Sequence, residues 1–223
     1  MLDFLRVICL CHDVTKVTNQ HGKTFLTGPS QDELCLIEMA AETGLCEFVD
    51  RNSAMTTIKV MGIIEEYRNV KFYDFTSARK MMTRVVQHVE TGKVFALSKG
   101  ADSSILSRTV PRTLQHEYKL SQQQGRVEWF SSEEAKIVEE IEEFAAKGFR
   151  TLMFGMKELD SPEIDGVKTQ EDIECCFSLL GATCVEDLLQ KDVKQCLIDY
   201  KRAGIQTWML TGDKGKTAKM IGL

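Results

Sequence analysis

Met82-Thr-Arg-Val-Val-Gln-His-Val-Glu90, Thr91-Gly92 and Lys93-Val-Phe-Ala-Leu-Ser98 form the stretch whose reading decides the fold. Two β-branched and apolar runs around a turn dipeptide predict a β-hairpin. Upstream, residues 70–75 alternate, with Val70, Phe72 and Asp74 set against Lys71, Tyr73 and Phe75, and residues 56–64 are again β-rich. Further back, Ser30-Gln31-Asp32-Glu33 opens an amphipathic helix carrying Leu34, Ile37, Ala41 and Leu45, with Gly44 as its stop. Lys23–Thr27 reads as a strand ended by Gly28-Pro29, and residues 3–11 read as a short helix with Phe4, Val7, Ile8, Leu10 and Cys11 near one face.

Downstream, a Gln-rich stretch at Ser121–Gly125 reads as a surface loop. Ser132–Lys147 predicts a helix with Ile137, Ile141, Phe144 and Ala145 as its apolar stripe, ended by Gly148. Phe149–Met156 and Cys176–Ala182 predict strands around a polar loop at Pro162–Asp172. The rhythm then changes. Leu189, Val193, Cys196, Leu197 and Tyr200 mark a helix, Gly204 stops it, and Ile205–Leu210 reads as a buried strand. Thr211-Gly212-Asp213 is then a loop and Gly215–Ile221 a further helix, which is the rhythm of a parallel α/β unit. The expectation is an α+β domain over residues 1–178, then the incomplete start of a second domain over 179–223. The chain thus reads as a piece of a larger protein.

The 223 residues carry 28 Lys and Arg against 33 Asp and Glu, a formal charge of −5 with a pI near 5.5. That balance excludes non-specific nucleic-acid binding as the main role, but not a local basic pocket for a small anion. No apolar run approaches the roughly 20 residues of a membrane-spanning helix. The 8 cysteines include no CxxC pair, and the 4 histidines are scattered. The cysteines read as reduced thiols packed like small apolar side chains, which suggests a cytosolic setting.

Several short groups could carry chemistry, each beside an ordinary alternative. Gly212-Asp-Lys-Gly-Lys-Thr217 imitates a P-loop, but two residues separate its glycines where the phosphate-wrapping loop needs four. Thr211-Gly212-Asp213 puts a hydroxyl and a carboxylate at the end of an expected parallel strand, where α/β sheets bind ligands; a plain turn with an Asp N-cap is equally open. Lys99-Gly100 could bring a point charge to a phosphate, or Lys99 could be solvated. In Phe75-Thr-Ser-Ala-Arg-Lys80 an aromatic face suits a base and the cations suit phosphate, unless Phe75 is a core residue. Arg150 is a strand cation or a surface one. Ser30-x-x-Glu33 fits a capping box as well as a binding carboxylate.

Taken together and in order, these pieces resemble the cytosolic nucleotide-binding domain of a P-type ATPase, most closely the type IV branch of phospholipid flippases. The carriers are Cys11-His12, Ser30–Glu33, Phe75–Lys80, Lys99-Gly-Ala-Asp102, Gly148-Phe-Arg-Thr-Leu152, Leu180-Gly-Ala-Thr-Cys-Val-Glu-Asp187 and Trp208-Met-Leu-Thr-Gly-Asp-Lys214. The family usually has Pro at Gln31, Arg at Met81 and Lys at Leu188.

The resemblance implies an antiparallel sheet flanked by helices, followed by a partial haloacid-dehalogenase-like α/β piece. It implies that Phe75 stacks on adenine, Lys99 lines the same pocket and Glu33 lies at the adenine end. Ser77 and Lys80 would border the nucleotide, and Arg150 would meet its phosphates. Thr211, Gly212 and Asp213 would face the γ-phosphate, and Thr183 and Asp187 would mark an interdomain hinge. The ligand would be ATP with Mg, whose ligands lie mostly outside this chain. The parent would be an ATP-driven phospholipid translocase at the cytosolic face of a membrane, with room for an accessory subunit. No Asp-Lys-Thr-Gly phosphorylation motif occurs here, so a soluble, monomeric piece would bind ATP and present it to an aspartate elsewhere in the polypeptide. A cation pump's nucleotide domain and a non-catalytic interaction module with the same fold are the alternatives.

Overall fold

The computed structural model describes residues 1–109, 132–160, 169–186, 188, 190–208 and 210. The expected hairpin lies at the middle of a seven-stranded antiparallel sheet. Its strands run in chain order: β3 (Cys46–Arg51), β4 (Met55–Val60), β5 (Ile63–Tyr73), β6 (Met81–His88), β7 (Val94–Gly100), β8 (Arg150–Leu159) and β9 (Ser178–Val185). β6 is buried along most of its length, which suits a Met/Val-rich run covered on both faces. The β6–β7 connection closes around Gly92, whose φ of 69° lies in the left-handed region. There the His88 ring and the Thr91 hydroxyl lie 2.9 Å apart.

Helices cover both faces. On one, α1 (Leu2–Leu10) and α2 (Gln31–Glu42) pack Val7, Ile8, Leu36 and Ile37 against Ile58, Tyr67, Met82, Leu97 and Phe154. Phe4 meets Phe154 edge-on at 5.2 Å between centroids. On the other face, α3 (Asp102–Leu106), α4 (Ser132–Ala146) and α5 (Gln170–Ile173) bring Ile105, Ile141 and Ile173 against Val85, Ala96 and Met153. Two adjacent β7 residues therefore serve opposite cores, and Lys99 shares its face with Leu97 under α1 and α2.

Several expectations change. The β-rich run at 56–64 is broken by a turn at Met61-Gly62, and β5 continues unbroken to Tyr73. Phe75 therefore lies beyond the strand and is 59% exposed, whereas Tyr73 is buried. The core alternative for Phe75 falls with that register. β3 has no counterpart in the sequence reading, because Glu47, Asp50 and Arg51 dilute its apolar positions. Lys23–Thr27 forms a strand, β2 (Thr24–Thr27), but pairs with an exposed β1 (Thr15–Thr18) that lacks any apolar face. Phe144 is exposed and leans on Phe149 instead of entering the core. A capping box occurs at Thr169/Asp172, inside the span read as a polar loop. The cysteines divide: Cys9, Cys11, Cys46 and Cys175 are buried, the other four exposed.

The largest correction concerns the C-terminal part. The helix is present as α6 (Val193–Arg202), but none of its residues is buried. The expected buried strand at Ile205–Leu210 is not formed among the described residues: Ile205 is 53%, Trp208 84% and Leu210 93% exposed. An apolar run becomes a buried strand only when a sheet edge accepts it, and among the described residues β9 pairs with β8 alone. The expected boundary at 178/179 falls at the start of β9, which is laddered to β8 from Met156↔Ser178 to Arg150↔Val185. Ser121–Gly125, the loop at 211–213 and the helix at Gly215–Ile221 lie outside the described residues.

Candidate nucleotide site

Ser30 caps α2, its hydroxyl accepting the Glu33 N–H at 3.4 Å. The Glu33 carboxylate does not return to the cap, so the capping box is only half made. Oε1 instead accepts from Lys99 Nζ at 2.6 Å, and Oε2 from the Asp13 backbone N–H at 2.9 Å. Glu33 and Lys99 are each only 7% exposed. Two opposite charges this deep in a protein require each other, since either alone would keep its desolvation cost. The first turn of α2 is thereby tied to the C-terminal end of β7.

The connection between β5 and β6 is fixed beside this pair. Its Arg79 donates to the carbonyls of Tyr73 (3.5 Å), Asp74 (3.2 Å) and Met81 (3.3 Å), and to the buried Glu174 carboxylate at 2.8 Å. Lys80 turns with φ 53°, and its carbonyl accepts the Ala101 N–H at 2.9 Å. Gly100 is required there, because a Cβ would lie 2.5 Å from that carbonyl oxygen and from Met81 Cβ. The loop carrying Phe75, Ser77 and Lys80, all exposed, is thus docked on Lys99-Gly100-Ala101.

Arg150 opens β8 on the same face as Phe154 and Lys99, and its guanidinium lies 3.4 Å from the Asp32 carboxylate in the first turn of α2. Thr183 lies in β9 opposite Leu152; its buried hydroxyl has no hydrogen-bond partner among the described residues. Thr211, Gly212, Asp213 and Asp187 lie outside the described residues. Glu33, Lys99 and the Phe75 loop are therefore one assembly, with Arg150 reaching it through α2. A cavity of about 330 Å³ lies at the opposite end of the strands, lined by Arg6, Glu65, Tyr67, His88, Phe95 and Met156 among others. None of the candidate residues lines it, and its rim charges are already matched as Arg6–Glu65 and Lys93–Glu158 pairs.

A layer of buried polar groups supports the assembly. Burial first, then the Arg51 charge, holds His12 well below its ordinary pKa. Its Nδ1 accepts the Val14 N–H at 3.0 Å and Nε2 lies 2.8 Å from the Cys9 carbonyl, so the network assigns the neutral Nε2–H tautomer. Arg51 donates to the carbonyls of Leu10 and His12; burial, with Arg84 adding to it, brings its pKa down to about 10. Arg84 pairs with Asp13 and stacks over Phe72 at 4.4 Å.

Residues 1–192 match the family model described as P-type ATPase, cytoplasmic domain N. The chain belongs to this family. At 32% identity over its whole length, the chain is similar to phospholipid-transporting ATPase 2 of Arabidopsis thaliana, covering 20% of that protein. It is 32% identical over 99% of its length to probable phospholipid-transporting ATPase IM of Homo sapiens, covering 18%. It is also 29% identical over 97% of its length to phospholipid-transporting ATPase 11C of Mus musculus, covering 20%. The N domain thus spans about a fifth of the length of the relatives it matches.

Sequence reasoning overlooked Asp13, Asp32 and Arg84 in this N domain. Arg79, read with Lys80 as a cation suited to phosphate, instead holds the Glu174 carboxylate and three backbone carbonyls. Arg84 had a signal: an arginine between Met82 and Val86 on an otherwise apolar strand face must find a carboxylate. As arranged, the assembly offers an exposed aromatic ring, an ammonium fixed by a carboxylate, and two further cations, Lys80 and Arg150, at its margin. These can stack on a planar base and attract a polyanion. Among the described residues no cluster of His, Cys, Asp or Glu could hold a metal ion.

Proposed function

We propose that this N domain binds ATP, with adenine on Phe75 and the phosphates toward Arg150, and presents the γ-phosphate to an aspartate outside this chain. The observation that carries the reading is the exposure of Phe75 on a loop docked against Gly100, next to the buried Lys99–Glu33 pair. A large aromatic left in water on a loop held by Arg79 and by the Lys80–Ala101 bond is arranged for a planar partner. Base–aromatic stacking contributes about 1–3 kcal/mol, which suits a domain that must take up ATP and release ADP. Lys99 would line the base pocket and Glu33 would hold it there. Ser77 and Lys80 would border the nucleotide. Thr211, Gly212 and Asp213 are assigned to the γ-phosphate end by the sequence resemblance alone.

In the parent polypeptide ATP, accompanied by Mg, would supply the phosphoryl group to a carboxylate nucleophile. The described residues of this domain bind and orient. The relatives' names favour phospholipid as the transported substrate and a membrane-embedded parent, with this domain on its cytosolic side. The domain would run through β9, with Thr183 and Asp187 at the hinge toward the next domain; exposed α6, Trp208 and Leu210 would meet the rest of that second domain. Calorimetric titration with ATP of the wild type and of Phe75→Ala tests the reading. Saturable binding, weakened at least tenfold in a folded Phe75→Ala, is the expected result.

A further inference from the structure

Arg84 occupies a position where the sheet calls for an apolar side chain. Its face-sharing neighbours on β6, Met82 and Val86, both enter the α1/α2 core. It is 5% exposed, pairs with Asp13 and is covered by Phe72. An apolar residue there would avoid the desolvation cost of a guanidinium, and replacing buried ion pairs by hydrophobic groups is often neutral or stabilising. Stability alone therefore does not account for the arginine. Its partner does: Asp13 is the residue whose backbone N–H binds Glu33 Oε2, while Oε1 of the same carboxylate holds Lys99. The register Met82↔Lys99 and Arg84↔Leu97 makes Arg84 and Lys99 diagonal neighbours on adjacent strands.

We propose that Arg84 and Asp13 are positioning residues of the nucleotide site: their ion pair anchors the segment after α1, so that the Asp13 N–H sets the plane of the Glu33 carboxylate and thereby the direction of Lys99 Nζ. This rests on the ATP-binding reading above. Without the pair, Asp13 is free to leave Glu33, the carboxylate can rotate, and the ammonium loses its fixed direction. Arg84 acts on the base end through Glu33 and does not touch the phosphates. Its removal therefore affects adenosine, ADP and ATP alike.

The experiment titrates the 223-residue chain with adenosine, ADP and ATP in wild type, Arg84→Met, Arg84→Lys, Asp13→Asn and the Arg84→Met/Asp13→Asn double variant. The Lys99 side-chain ammonium signal is followed by NMR in the ligand-free protein. Either single variant should weaken all three ligands by the same factor, on the order of tenfold. The double variant should be no weaker than the weaker single, Arg84→Lys should recover part of the loss, and the ordered Lys99 signal should broaden in Arg84→Met. A loss growing from adenosine to ATP would make Arg84 a direct phosphate ligand and overturn the proposal, as would unchanged affinity or multiplying losses. If Arg84→Met does not fold, Asp13→Asn and Arg84→Lys carry the test. A folded wild type that binds none of the three ligands overturns the nucleotide reading itself. The Lys99 signal then decides separately whether the pair orders Glu33 and Lys99, an unchanged signal in Arg84→Met counting against it.

Discussion

His12 and Lys99 lie within one buried layer and solve burial in opposite ways, one by staying neutral and the other by pairing. The contrast gives two predictions. His12 stays neutral in the fold near neutrality, taking up no second proton, because burial and the Arg51 charge hold its pKa well below 6.5. In the unfolded chain it takes up a proton below about pH 6.5. The unfolded state then binds more protons than the native one, so His12 lowers stability as pH falls from 6.5 toward its depressed native value. The slope from this one group approaches about 1.4 kcal/mol per pH unit. Urea unfolding at pH 7.5 and 5.5 should show the loss, and His12→Gln should flatten that part of the profile. Lys99→Met, by contrast, strands the Glu33 carboxylate. It should cost about 3–5 kcal/mol, read as a lower denaturation midpoint, and that loss should shrink when Glu33→Gln is added. Lys99 is therefore a poor probe of binding alone. Sequence reasoning named both members of the Glu33–Lys99 pair, but from separate motifs. Their contact was invisible because residues 33 and 99 meet only through the packing of α2 on the sheet.

At the scale of elements, the β5–β6 connection and the end of β7 act as one piece. Gly100 permits the approach of the Lys80 carbonyl, and Arg79 ties both ends of the loop to Glu174. Gly100→Ala should force the loop off its seat at a cost of about 1–3 kcal/mol, with chemical-shift changes concentrated at residues 74–81. Unchanged shifts there would show that the close approach is not needed. Element types were largely legible: the central hairpin, α1, α2, α4 and β8 follow from periodicity and turn residues. The end of β5 was not, since the alternation at 70–75 continues past Tyr73, where the ladder to β6 stops. Periodicity records which faces a strand could present; only the partner strand fixes how far it runs.

For the whole molecule, the sheet from β3 to β9 forms one antiparallel body with a core on each face, while α6 buries none of its residues. Amide exchange should therefore be slow in β6, β7 and β8, remain measurable through Val185, and be fast across Val193–Arg202. Protection of α6 equal to that of β7 would contradict this. The α/β rhythm after residue 189 predicts a buried strand because the pattern is that of a parallel sheet. A rhythm needs neighbouring strands to become structure, and among the described residues it has none. The central claim is that an exposed aromatic on a docked loop, beside a buried Lys–Glu pair, receives ATP. Phe75 is the cleanest probe, since an exposed ring can be removed at a stability change within about 0.5 kcal/mol. The measurement is an ATP titration of wild type and Phe75→Ala with thermal midpoints recorded alongside. The account predicts saturable binding by the wild type, an affinity loss of tenfold or more in Phe75→Ala, and matching midpoints. Equal affinity in the two folded proteins, or no binding by the folded wild type, would contradict it.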